Sequence, residues 1–176
     1  NRQKCGLLFD SEYFKSLGEA GIKGYYVTCD TEWCDPGTVA LFQEECQRLL
    51  DVVPDAYIMV RIGLHPSMAF TEENPEECFT YDNGEAPSVR LSNETFARNY
   101  PHLYSMASSV WREKAREELL KTCDAFDSLP FADRIIGYFF AAGGTSEWYY
   151  LLSLENGERY GDFSKGFRRE YEKYLR

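Results

Sequence analysis

Arg134-Ile-Ile-Gly-Tyr-Phe-Phe-Ala141, followed by Ala142-Gly-Gly-Thr-Ser-Glu-Trp148, decides the reading of this chain. The first half is a strongly apolar run of strand length. The second half is a glycine-rich turn that ends in a carboxylate beside an aromatic ring. A strand that delivers a charged group from its carboxyl end is the usual way an α/β fold presents a functional residue.

Two earlier runs resemble the first half. Gly24-Tyr-Tyr-Val-Thr-Cys29 reads as a buried strand, and Ala56-Tyr-Ile-Met-Val-Arg-Ile62 as another. The near-continuous apolar character of the latter suits a parallel strand covered on both faces. Helical patterns separate the strands. Ser11 to Ala20 forms the first, with Asp10 able to cap it and Gly21 able to end it. Asp35-Pro36 opens the second, in which Val39, Phe42, Cys46 and Leu49 recur at helical spacing. Ser108 or Ser109 can cap a third that runs to about Phe126, and Ser164 to Arg176 reads as a charged terminal helix. From about His65 to Ser105 lies a long loop rich in Pro, Asn, Glu and Gly, of a length usually functional or disordered. Strands alternating with helices give an α/β class with parallel strands. Both an open doubly wound sheet and a barrel fit. No GxGxxG and no phosphate loop follows any strand, which counts against a nucleotide-binding sheet.

Composition narrows the function. The 176 residues carry a net charge of -10, which argues against a nucleic-acid surface. No apolar run approaches the ~20 residues of a membrane span. Aromatic residues make up 16% of the chain, and flat rings stack well on the apolar faces of sugars, although a Tyr-rich core and surface explains the same number. The six cysteines show no zinc spacing; Cys46 and Cys123 fall in apparent helices and Cys29 in a strand, which points to mostly buried thiols and a reducing compartment, with the cytoplasm favoured. Two histidines exclude a His-rich metal site; a carboxylate-only magnesium or calcium site stays open but has no recognisable loop, and neither metal nor cofactor is expected.

Glu147 is the sharpest candidate. The glycines before it let backbone approach a ligand, and Trp148, Tyr149 and Tyr150 supply an apolar setting. Such a setting raises a carboxyl pKa, as a general acid at neutral pH requires. The plainer alternative is an exposed Glu capping a turn. Arg61 ends the second strand and can bind a sugar hydroxyl or hold a carboxylate ionised, or form an ion pair with Asp30 or Glu32. His65 can donate to a hydroxyl or fix its loop. Trp33 is a sugar platform or packs beneath the next helix. Asp30 and Glu32 alternate along a strand end, so one of them can face a pocket as a second carboxylate. Trp111, on a helix, reads as core-facing.

With these residues in hand, the chain resembles the clan A glycoside hydrolases, nearest the β-galactosidase-like branch. Four stretches carry the likeness: Phe14 to Trp33; Val53-Pro-Asp-Ala-Tyr-Ile-Met-Val-Arg-Ile-Gly-Leu-His-Pro66 with Glu73-Asn-Pro-Glu-Glu77; Asp133 to Trp148; and Tyr160-Gly-Asp-Phe-Ser164 with the helix after it. The resemblance implies a partial (β/α)8 TIM barrel covering about strands 2 to 4, with the first strand and the second half of the barrel outside this single domain of 1–176. It implies retaining hydrolysis of a β-glycosidic bond, with Glu147 as general acid/base. A nucleophile ~5 Å away would follow a seventh strand, beyond this chain. On that reading the fragment alone is inactive. Substrate contacts are expected from Trp33, Arg61, His65, Ser146, Trp148 and Tyr149. Two departures from the family stand out. Ser146 stands where an Asn usually contacts the sugar 2-hydroxyl, and Met68 and Phe70 stand where Trp is common. A non-catalytic carbohydrate-binding or structural barrel is the alternative, and a lyase or isomerase barrel a third. The expected partner is a carbohydrate, with homo-oligomerisation of the full-length protein left open.

Overall fold

The computed structural model describes residues 10–29, 36–85, 103–143, 148 and 160–176. It is a mixed α/β structure with a small, open, three-stranded parallel sheet. The described chain gathers into two compact units. One holds residues up to 64 together with 118–141, and the other holds 65–117 together with 142–176.

The first unit opens with helix α1 (Ser11–Glu19), whose Asp10 cap accepts from the Glu12 and Tyr13 amides. The helix is released through Gly21, at φ 88°. Strand β1 (Gly24–Cys29), helix α2 (Pro36–Val52) and strand β2 (Tyr57–Gly63) follow, with β3 (Ile135–Ala141) closing the sheet. The strand order is β1-β2-β3, so spatial order repeats chain order. Every pairing is parallel. Val27 lies beside Val60, which lies beside Tyr138; on the other face Tyr26 neighbours Met59, which neighbours Gly137.

The two faces of the sheet differ. Tyr25, Val27, Cys29, Ile58, Val60 and Ile62 are buried with Phe42, Cys46 and Leu49 of α2. Phe126 stacks on Phe42 at 4.5 Å and lies 6.3 Å from Tyr138, which brings the end of the next long helix into the same core. The opposite face carries Tyr26, Met59 and Phe139, which are 48%, 36% and 49% exposed. Arg61 is on this face, between Thr28 and Phe139 in register, and is half-buried. At the β3 edge, Ile136 and Phe140 are exposed as well.

The second unit contains helix α3 (Met68–Glu73), a single 3-10 turn (Pro75–Glu77) and helix α5 (Lys165–Tyr174). Helix α4 (Ser109–Asp127) begins in this unit and ends in the first. The expectation of a loop throughout the stretch from His65 is corrected by α3. Ser67 caps it by accepting from the Phe70 amide, and Asn74 ends it. Six residues are too few for an apolar period to show, and tertiary packing rather than propensity sustains a helix this short. Ser108 caps α4 through the Trp111 amide, and Ser164 caps α5 through the Phe167 amide.

The stacked Phe42–Phe126 pair joins α2 to the end of α4, so its loss should be costly. We expect Phe42→Ala to lower unfolding free energy by about 3–5 kcal/mol. Leu120→Ala, on the exposed side of α4, should change it by under ~0.5 kcal/mol. Urea titrations of the two variants measure both values.

Candidate functional site

The turn after β3 begins with Ala142, which is fully buried, and Gly143, whose φ of 84° lies in the left-handed region that glycine adopts freely. Trp148 shares that sign, at φ 62°, without a glycine's freedom. Its amide donates to the Ala142 carbonyl at 2.8 Å, and its side chain is 50% exposed. A bulky residue held in left-handed backbone is uncommon, and such positions cluster where a ligand is met. Glu147, Ser146 and Tyr149 lie outside the described residues, as do Trp33, Asp30 and Glu32.

His65 and Tyr104 belong to the same unit as this turn. His65 is 2% exposed, and its ring stands edge-on to Tyr104 at 6.1 Å. That packing suits the role of fixing the loop. Tyr104 stacks on Trp111 at 4.5 Å and 21°, which puts Trp111 in the core as its helical position implied. The Tyr104 hydroxyl accepts from the Gly143 amide at 3.0 Å. Arg61 belongs to the first unit, on the open face of the sheet.

A second group was not read from the sequence. Glu77, 2% exposed, receives both terminal nitrogens of Arg169, at 2.8 and 2.9 Å, and the Ser108 hydroxyl at 2.5 Å. The bidentate geometry is the strongest form of such a pair. The three residues come from the 3-10 turn, the residue before α4, and α5. Gly166 makes room for the carboxylate, because a Cβ there would collide with it. Beside the pair, Glu170 accepts from Ser109 at 2.7 Å and from Lys173 at 2.9 Å. Burial pushes the Glu77 carboxyl up, but the Arg169 guanidinium and the Ser108 hydroxyl more than offset it, leaving its pKa below the ordinary value. Lys173, then Ser109, hold Glu170 down at about 2, against the small effect of burial. Glu77 and Arg169 are 92 positions apart, and no local pattern could have paired them.

Chemically, the clasp is a support rather than a reaction centre: both Glu77 oxygens are occupied by donors. Cys78, next to it, is no better a nucleophile, since burial pushes its thiol up to about 11, with Glu76, Glu77 and Asp162 adding to the effect. Cys29, Cys46 and Cys78 are buried, and Cys123 is half-buried. Among the described residues, no group of three His, Cys, Asp or Glu side chains could hold a metal ion, and no helix is long and apolar enough to cross a membrane. Helix α5 also borders an open groove of about 550 Å³, lined by Tyr160, Phe163, Phe167, Arg168 and Tyr171 among others.

The chain matches no protein-family model, no curated protein and no solved structure.

The clasp has a pH signature. Folding lowers the Glu77 pKa, so its contribution is fully present above the unfolded carboxylate value of about 4.3 and is lost as pH falls through the lower folded value. Unfolding free energy should therefore decline as pH is lowered from about 6 to 3, and Glu77→Gln should flatten that slope. Arg169→Ala, which strands a buried carboxylate, should cost about 3–5 kcal/mol at neutral pH. Denaturant titrations across this pH range give both results.

Proposed function

We propose that this chain is an arc of a (β/α)8 barrel from a retaining β-glycosidase of β-galactosidase-like type, with Glu147 as its general acid/base. The observation that carries the reading is the open face of the sheet. Parallel sheets are covered on both faces, because crossover helices pack on them or because a barrel closes over one of them. Here helices cover one face, while Tyr26, Met59 and Phe139 stand half in water on the other. That face presents large side chains, Tyr26, Met59 and Phe139, and a barrel interior is filled by layers of large side chains. The unbroken order β1-β2-β3 agrees, since a barrel needs each strand to pair with the next.

Within that frame, Arg61 projects from the inner face near the carboxyl end of its strand, where it can meet a sugar hydroxyl or a catalytic carboxylate. Trp148 offers a half-exposed ring just after Glu147 in the chain. Glu147 would protonate the glycosidic oxygen and then, as base, activate the water that releases the glycosyl-enzyme. The attacking carboxylate would come from another strand of the full protein. Arg61, Trp33, Trp148 and Tyr149 would hold the sugar, with Ser146 in the place of the usual Asn, while the buried His65 fixes its loop rather than meeting substrate.

Two measurements on the full reading frame test this. Glu147→Gln should slow hydrolysis of aryl β-galactosides with poor leaving groups by about 10²–10⁴. Dinitrophenyl substrates, which need little protonation, should retain far more activity, and azide should restore turnover. Equal activity of the variant and the parent enzyme removes Glu147 from the mechanism. Separately, a closed barrel buries Phe139, so Phe139→Ala should cost about 3–5 kcal/mol there. A cost under ~1 kcal/mol would mean that the face stays in water and the sheet is not part of a barrel.

A further inference from the structure

Helix α5 divides its side chains between two tasks. Arg169, Glu170 and Lys173 are engaged in the clasp or beside it. Arg168, Tyr171 and Glu172, three and four positions apart, share the other side of the helix and line the groove together with Tyr160, Phe163 and Phe167. Its volume of about 550 Å³ lies within the range of about 300–1,000 Å³ common to small-molecule sites. Tyr160, Phe163 and Tyr171 are exposed, so their rings can be reached. The walls are also held in place. Tyr171 stacks on Phe167 at 6.1 Å and 13°. The Asp82 amide donates to the Tyr160 carbonyl at 3.0 Å, and the Phe163 amide donates to the Thr80 carbonyl at 2.9 Å. A Cβ at position 161 would collide with the Phe79 ring, so Gly161 lets this wall sit close against Phe79.

Charge narrows what the groove can hold. The Arg168 guanidinium lies 6.0 Å from the centre of the Phe163 ring. Among the described residues neither Arg168 nor Glu172 makes an ion pair. They are four positions apart, but with the cation first, the order that favours pairing less. Aromatic walls thus carry one set of unused donors and one unused acceptor. An anion would meet Glu172 and Asp162, and a cation would meet Arg168. A wholly apolar ligand would strip water from both charges and return no hydrogen bond. A neutral polyol with apolar C–H faces suits every group: its faces lie on the rings, and its hydroxyls accept from Arg168 and donate to Glu172. We propose that this groove binds a neutral saccharide, with Tyr160, Phe163 and Tyr171 as stacking surfaces and Arg168 and Glu172 as the groups that take its hydroxyls. Only the choice of a galactoside as first probe rests on the proposed function.

The test uses the product of the full reading frame and four probes: S-linked β-galactobiose, a thioglycoside that resists hydrolysis; S-linked cellobiose; choline as a cation; and tetraglutamate as an anion. At least one of the two sugars should slow amide hydrogen exchange in peptides spanning 160–172, and neither charged probe should. Tyr171→Ala should raise the Kd read from that protection about 3- to 10-fold. Glu172→Ala should raise it about 10-fold or more. Both side chains are exposed and outside the clasp, and unchanged exchange in peptides spanning 68–77 checks that the variants fold. No protection of 160–172 by either sugar up to about 10 mM overturns the proposal, whether or not the protein hydrolyses galactosides. Stronger protection by choline or tetraglutamate also overturns it, as does a tighter Kd in Glu172→Ala, the mark of an anionic occupant. Protection by a sugar in a protein that hydrolyses no glycoside supports the groove and counts against the enzymatic reading alone.

Discussion

Parallel strands pair only through crossover connections, and those connections bring helices onto the sheet. Once α2 and the end of α4 cover one face through Phe42, Leu49 and Phe126, the register of all three strands follows. Val27, Val60 and Tyr138 must share the covered face, which puts Tyr26, Met59 and Phe139 on the other. A slip of one residue in any strand would exchange the two sets. Arg61 owes its place to this constraint. It alternates with Val60 and Ile62, both buried, and so cannot enter the helix-covered core. The polar group nearest the carboxyl end of β2 is thereby aimed away from the helices by packing alone.

The second unit is held in a different way. Its described elements are short, and its organising contact is electrostatic: Glu77, with Arg169 and Ser108, joins the 3-10 turn, the start of α4 and α5. A carboxylate this buried would be costly without partners, and the bidentate guanidinium and the hydroxyl satisfy it. Backbone bonds extend the same junction. Ser105 donates to the Glu77 carbonyl, Phe79 to Leu103, and Phe163 to Thr80. The stretch from Tyr160 to Ser164 is thus joined to the residues around Thr80, and Asp162, which accepts from the Ser164 amide, leads directly into the α5 cap.

How much of this was legible depended on range along the chain. β1 was read with its observed bounds, and β2, β3, α1 and α4 within a residue or so, because each announces itself locally. Asp10, Ser108 and Ser164 are caps of the preferred type, and the three apolar runs are bounded by Gly, Pro or charged residues. α3 was missed because six residues carry no period. The Glu77–Arg169 pair was missed because its partners are far apart in a charged chain that offers many equivalent pairings. Tyr104 was missed for a related reason. It is one tyrosine among 13, and nothing around it distinguishes a ring that stacks on Trp111 from one in solvent. Arg61, His65 and Trp148 could be placed because each lies near or after the carboxyl end of a strand, whereas their partners depend on which distant segments return to them.

Under the proposed function, Ser146 stands where such enzymes usually have Asn, and this bears on the weight that positioning must carry. In retaining glycosidases, hydrogen bonds to the sugar 2-hydroxyl strengthen in the transition state and supply several kcal/mol. A serine hydroxyl is shorter than a carboxamide and offers one donor where the amide offers two. Under the proposed function, part of that stabilisation is lost, and the remaining barrier falls more heavily on proton donation by Glu147. A rigid turn is then worth more than in a relative with the full contact. Among the described residues on either side, Trp148 has left-handed backbone and the Ala142–Gly143 peptide is hydrogen-bonded at both ends, so the restraint that the structure shows lies at the two flanks.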